Sequence, residues 1–194
     1  MLKIVSKTVR NTLAVGKRLC QLSPITLLTL IGVLITRISG FAAYPFLVLY
    51  ATEAFALSPV MAGSLVAIPP LISMLLSIPF GTLAEIVGKK RVMIASSLLA
   101  ALAYFAIAGA SSSLMLYIAV MLLGLYRASF DPASMALLGE MARREDKGFV
   151  YAARYTLINI GTVIGPIIGV ALASRHFNLP LPLVVISHTQ CYCF

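Results

Sequence analysis

The chain has 194 residues, of which 60% are hydrophobic and only 11% charged, and its mean hydropathy is +1.00; a soluble globular domain carries roughly 25% charged residues. That much apolar surface exceeds what a water-soluble core absorbs, and it falls in blocks of about 18 to 25 residues, the length that crosses a hydrocarbon layer of roughly 30 Å as a helix. The formal charge of +9 does not point to nucleic acid, because the basic residues mark alternate loops instead of gathering in one patch.

In chain order, a basic segment comes first, residues 1–22, with Lys3, Lys7, Arg10, Lys17 and Arg18. Lys3, Lys7 and Arg10 share one helical face and Val5, Val9 and Leu13 another, so the segment either lies on anionic lipid as an amphipathic helix or sets topology. The apolar run resumes after Arg37 and continues to Tyr50, unlike a cleaved signal peptide. Five complete spans follow, at about 23–50, 59–80, 92–110, 114–138 and 150–173. A sixth begins near Leu181, but its apolar stretch is little more than LPLVVI before the chain ends in SHTQCYCF, so residues 181–194 read as an incomplete span with an aberrant C-terminus. The bundle proper is 23–180.

Lys89, Lys90 and Arg91 follow the second span, and Arg143, Arg144 and Lys147 the fourth. With the N-terminal five they place eleven cations on one side of the membrane, whereas the other side has Arg175. Basic residues near span ends resist translocation, so the N-terminus is expected in the cytoplasm.

Between the second and third spans, Gly81 to Met93 reads GTLAEIVGKKRVM, expected to be a tight cytoplasmic turn. Gly81 lets one helix end approach a neighbour, Gly88 supplies the positive φ of a reversal, and Lys89, Lys90 and Arg91 anchor the next helix at the headgroups. Topology does not require Glu85. A carboxylate there can pair with a cation or a helix N-terminus in one conformation and release it in another.

Arg37 lies near the centre of span one, and Arg127 and Asp131 near the centre of span four. Facing lipid, each would cost about 2.5 to 3.5 kcal/mol, roughly 8 to 10 together, so they should face a watery cavity or one another. Arg127 and Asp131 are four apart and can pair on one helical face. Pro132 leaves the Ala128 carbonyl without its helical donor and softens the helix there. This is either a proton-coupled or substrate-binding site, in which Asp131 gains a proton when its positive partner leaves, or a permanent ion pair holding spans one and four together. Arg154 is expected to snorkel to the interface.

In span five, Gly161, Gly165 and Gly169 drift only about 40° per step around an ideal helix and form a smooth groove for another helix, while Pro166 bends that helix. The groove is expected to meet a helix of a second half and otherwise to face lipid or a second copy. Cys20, Cys191 and Cys193 show no disulfide or metal spacing, and His176 and His188 are isolated near the C-terminus. Without a nucleophile, metal set or acid–base set, neither an enzyme nor a cofactor is implied.

The stretch Gly81-x3-Glu85-x2-Gly88-Lys89-Lys90-Arg91 resembles the loop signature of the major facilitator superfamily, with Glu85 where aspartate is usual. Ile86 stands where a basic residue is common, so the intraloop charge pair attributed to that residue is not carried over. Gly161-x3-Gly165-Pro166-x2-Gly169 resembles the antiporter motif in the fifth helix of that superfamily's drug and proton exchangers, with Val170 in place of a further glycine. LYRASFDPASMALLGE is similar to the fourth helix, where Arg127 is followed by small residues and a proline, although Phe130-Asp131 replaces the usual Gln-Gly.

The resemblance covers about residues 25–180 and implies an all-α integral membrane bundle, the N-terminal half of a twelve-span fold. Arg37 and Arg127 occupy the middles of spans one and four, as a three-span inverted repeat requires. The implied function is secondary active transport, specifically proton-coupled export of small amphipathic molecules across the cytoplasmic (inner) membrane. As a truncated half the chain need not transport alone. The alternatives are a homodimeric half-transporter and a non-transporting scaffold or signalling subunit. Expected partners are membrane lipid, a small-molecule substrate, protons, and the missing C-terminal half or a second copy.

Overall fold

The computed structural model describes residues 22–173. The N-terminal cations, Arg175, all three cysteines, both histidines and the incomplete sixth span lie outside the described residues. Among the described residues there are five helices: α1 (Pro24–Phe55), α2 (Pro59–Val87), α3 (Lys89–Ala108), α4 (Ser113–Met141) and α5 (Lys147–Ala173). Each is long and apolar enough to cross a membrane.

Local sequence fixes the helix starts. Ser23 and Ser58 each precede a proline, and their side chains accept from the backbone N–H of Thr26 at 3.2 Å and of Met61 at 3.3 Å. Serine at the N-cap satisfies a free amide, and proline at the first helical position needs none. Ser112 caps α4 in the same way, accepting from the Met115 amide at 3.3 Å. α1 stops at Ala56, whose φ of 51° is left-handed.

The helices run further than hydropathy indicates. α2 has 29 residues, about 43 Å at 1.5 Å per residue, well beyond a hydrocarbon layer of about 30 Å. This corrects the expected turn at Gly81–Met93. Residues 81–87 remain helical because Leu83, Ala84, Glu85 and Ile86 tolerate or favour the helix. The break is confined to Gly88, with φ of 105°. Gly81 therefore lies within a helix, where an added Cβ would come to 3.7 Å from Pro132 Cβ on α4.

α4 is the central element, packed along much of its length against both α2 and α3, while α5 packs along α1. Leu47, Leu65, Tyr104, Ile107, Leu116 and Val120 form the main apolar core. Near the other end, Leu30, Leu138, Ala142 and Val150 form a smaller one. The two closest helix pairs, α2 with α4 and α5 with α1, are interchanged when the first three spans are exchanged with the next three, the relation an inverted repeat gives.

The glycine groove of α5 also differs from expectation. Instead of facing lipid or another half, it is filled by α1 of the same chain. A Cβ on Gly161 would lie 2.7 Å from Arg37 Cβ, and one on Gly165 would lie 2.7 Å from Phe41 Cβ and 2.8 Å from the Ile38 carbonyl. Gly169 meets the Ala42 backbone in the same way. Small residues let helix backbones approach closely, which is a main source of association where lipid removes the hydrophobic drive.

Gly165→Leu is therefore expected to force α1 from α5 at an overpacking cost of about 1–3 kcal/mol. Gly63→Ala, where a Cβ meets open space, should leave stability unchanged or slightly raised. Thermal unfolding in detergent checks this, and equal melting of the two variants would contradict the packing.

Candidate functional site

The buried charges converge where α1, α4 and α5 meet. Asp131 on α4 accepts a short charge-assisted hydrogen bond from Arg37 Nη2 on α1. From α5, Arg154 Nη2 lies 3.5 Å from the same Oδ1 and donates to Ser134 Oγ at 3.2 Å. Sequence spacing allowed a pair with Arg127, one turn back on α4, or one that holds spans one and four together; the Arg37 bridge is of the second kind, and the bridge from Arg154 on α5 was not anticipated. Arg154 also departs from expectation. Its side chain is 5% exposed and turned into the bundle, away from the interface.

Packing explains both placements. Gly161 sits beneath Arg37 Cβ, so the α5 groove fixes the α1 backbone at the height from which the Arg37 guanidinium reaches Asp131. Arg154 lies seven residues, about two turns, before Gly161, on the same α5 face. That spacing is the signal by which its burial could have been read from the sequence. Ser134 is placed by the same logic, one turn after Asp131 on α4.

A cavity of about 50 Å³ adjoins this cluster between α1, α3 and α4. Thr36, Arg37, Tyr104, Tyr126 and Arg127 give it a polar side, and Phe41, Leu47, Ile107 and Leu123 an apolar one. Arg37 and Arg127, the mid-span cations of the two triplets, thus face one space. Tyr104 and Tyr126 had no signal of their own in the sequence, since aromatic residues in a span read as core.

At the Gly88 end of the bundle, Lys89 Nζ donates to Glu85 Oε2 at 3.0 Å and to Glu140 Oε1 at 2.5 Å. The ammonium ties the end of α2, the start of α3 and the end of α4. Glu85 has thus found a cation within its own motif. Glu140 was not anticipated, because only the length of α4 brings it beside Lys89. Lys90 and Arg91 are exposed next to this contact.

Spanning helices with charges turned inward onto a cavity define the class of membrane transport bundles. The sequence profile of the Major Facilitator Superfamily matches residues 29–187. The chain belongs to that superfamily. It is 30% identical over 171 residues to the uncharacterized MFS-type transporter YqjV of Bacillus subtilis (strain 168), covering 87% of this chain and 42% of that protein. It is also 30% identical over 164 residues to a Na(+), Li(+), K(+)/H(+) antiporter of Planococcus maritimus, covering 81% and 38% respectively. Multidrug resistance protein MdtH of Proteus mirabilis (strain HI4320) is 28% identical over 139 residues, covering 72% of this chain and 35% of that one. The chain spans about two fifths of the length of these relatives. In fold it is similar to a crystal structure of the peptide transporter POT in complex with sulfate, with a TM-score of 0.76 at 20% identity, covering 86% of this chain and 36% of that one.

Arg154→Ala is expected to cost about 1.5–3 kcal/mol of stability, the weight of hydrogen bonds made by a charged group, here those to Asp131 and Ser134. Tyr155→Ala, at an exposed neighbour, should change stability by no more than about 0.5 kcal/mol. Denaturant unfolding of the two variants in the same detergent checks the difference.

Proposed function

We propose that the chain contributes the N-terminal portion of a proton-coupled exporter of small amphipathic molecules in the cytoplasmic membrane, its N-terminus on the cytoplasmic side. Asp131 is the group that carries the proton. The observation behind this reading is its position: a mid-span carboxylate held by Arg37 and Arg154 from two other helices. Substrate that engages Arg37 competes with Asp131 for that guanidinium, which links the substrate to the proton-carrying group. The antiporter and multidrug resistance proteins among the relatives support coupled export as the activity.

The orientation rests on the eleven basic residues that alternate loops place on one side. The bridge from Lys89 to Glu140 accords with the α2–α3 and α4–α5 connections sharing that side. Within this reading, Glu85, Lys89 and Glu140 close that end of the bundle in one conformation and part in another, with Gly88 as the hinge. A second six-span half, or a second copy, completes the transport path. The exposed apolar face of α2, with Val60, Met74, Ile78 and Ile86 each more than three-quarters exposed, is available to lipid or to that partner.

The test is Asp131→Asn in proteoliposomes holding an internal pH-sensitive dye, with a gradient of amphipathic compounds imposed across the membrane. Coupled proton movement in the unaltered chain and its loss in the variant support the reading; coupling that persists in D131N removes the role of Asp131. Flux from the chain alone would favour a homodimer, and flux only with a second half supplied would favour a split transporter. Infrared difference spectra between acidic and alkaline buffer follow the same carboxyl without flux. The protonated-acid C=O band should vanish in D131N.

A further inference from the structure

The ion cluster is unbalanced. All six acidic residues fall within the described part of the chain. Glu53, Glu85 and Glu140 occupy last turns of helices, and Glu145 and Asp146 lie in the α4–α5 connection. Asp131 is therefore the sole carboxylate in the middle of the bundle, among Arg37, Arg127 and Arg154. Three positive charges against one negative leave a formal excess of two. The donor count is unbalanced as well, since Arg154 Nε is buried with no acceptor among the described residues. In a weakly polar interior such an excess is costly unless an anion or water meets it.

The cavity is where an anion would reach the excess. Arg37 and Arg127 both line it, and Tyr104 and Tyr126 place phenol groups, able to donate O–H, on the same wall. A volume of about 50 Å³ clears the roughly 10–15 Å³ that a polar cavity needs to hold a water, so the space admits a small polar head. Phe41, Leu47, Ile107 and Leu123 complete the lining, so the space suits a head joined to an apolar body. A guanidinium fork matches a carboxylate in geometry, whereas a cationic head would meet like charge.

We infer that the cavity between α1, α3 and α4 is a headgroup site for organic anions, specifically a carboxylate attached to an apolar body, seated between Arg37 and Arg127. The site is built wholly within this chain. The inference narrows the proposed exporter to anionic substrates and rests on that reading.

Three probes of one shape and different charge test it: benzoate, benzamide and benzamidinium, titrated calorimetrically into the purified chain in detergent. Benzoate is expected to bind, with the neutral and cationic probes weaker by about tenfold or more, the usual weight of a charge-assisted contact. Arg127→Gln, with helicity confirmed by circular dichroism, should weaken benzoate by a similar factor, and Arg127→Lys by less. Benzamide or benzamidinium binding as tightly as benzoate overturns the proposal, as does failure of all three to bind, or an R127Q chain that retains benzoate affinity. The probes decide the matter on the unaltered chain even where a variant fails to fold. Preferred benzamidinium would sink the anion site and leave coupled export standing. Persistent proton coupling in D131N would sink the role of Asp131 and leave benzoate binding to be measured.

Discussion

A charge within a hydrocarbon layer is tolerated only where an opposite charge or water meets it, and in this bundle that condition is concentrated at Asp131. Arg37 reaches it from α1 and Arg154 from α5, so one carboxylate ties three helices together. Removing Asp131 would leave both guanidinium groups without their shared counter-charge in a poor dielectric. The contact therefore constrains the placement of α4 against the α1–α5 pair, which it otherwise touches only sparsely.

The packing divides the helices into two groups. α5 lies close along α1 through Gly161, Gly165 and Gly169, whereas α2 and α3 both pack on α4. Gly124 of α4 approaches Ile72 of α2 closely, an added Cβ coming to 2.8 Å from Ile72 Cβ. Between the groups, α1 and α5 meet α4 much less extensively. The ion cluster and the cavity both lie on this seam. Apolar packing within each group is insensitive to ligands and protons; the seam, held largely by charge, is where the proposed ligand and proton would act. Function is thus expected where packing is thinnest, in keeping with moving elements being drawn from the less stable parts of a structure.

The membrane class and five spans were legible because hydropathy over about 20 residues leaves few alternatives. Helix ends were less so: Glu85 and Glu140 lie on helices that project past the apolar stretch, and hydropathy sees only the part in hydrocarbon. The Asp131 cluster was half legible. The cost of burying ions showed that Arg37, Arg127 and Asp131 face inward, but the choice among guanidinium partners depends on how helices are rotated against one another. The α5 glycines carried that information in part, since their face also bears Arg154, but only once α1 was known to fill the groove. The lining of the cavity was not legible, because Tyr104 comes from the apolar part of α3, well past Lys89, Lys90 and Arg91, where an aromatic residue carries no signal of its own.

The two ends of the charge system are joined through α4. Pro132 follows Asp131 directly and leaves the Ala128 carbonyl without its helical donor, so α4 bends more readily there than elsewhere. Gly81 of α2 sits against that proline, giving the bend a smooth surface to move over. Glu140 lies eight residues beyond Pro132, about 12 Å along the axis at 1.5 Å per residue. A bend of about 10° at the proline swings Glu140 sideways by roughly 2 Å over that length. The Lys89 bridge to Glu140, 2.5 Å in the structure, does not survive such a displacement without Lys89 following, and Lys89 is held to the end of α2 by Glu85. In the proposed reading, the state of Asp131 and the closure of the Gly88 end are linked through this softened helix, with Glu140 at its far end.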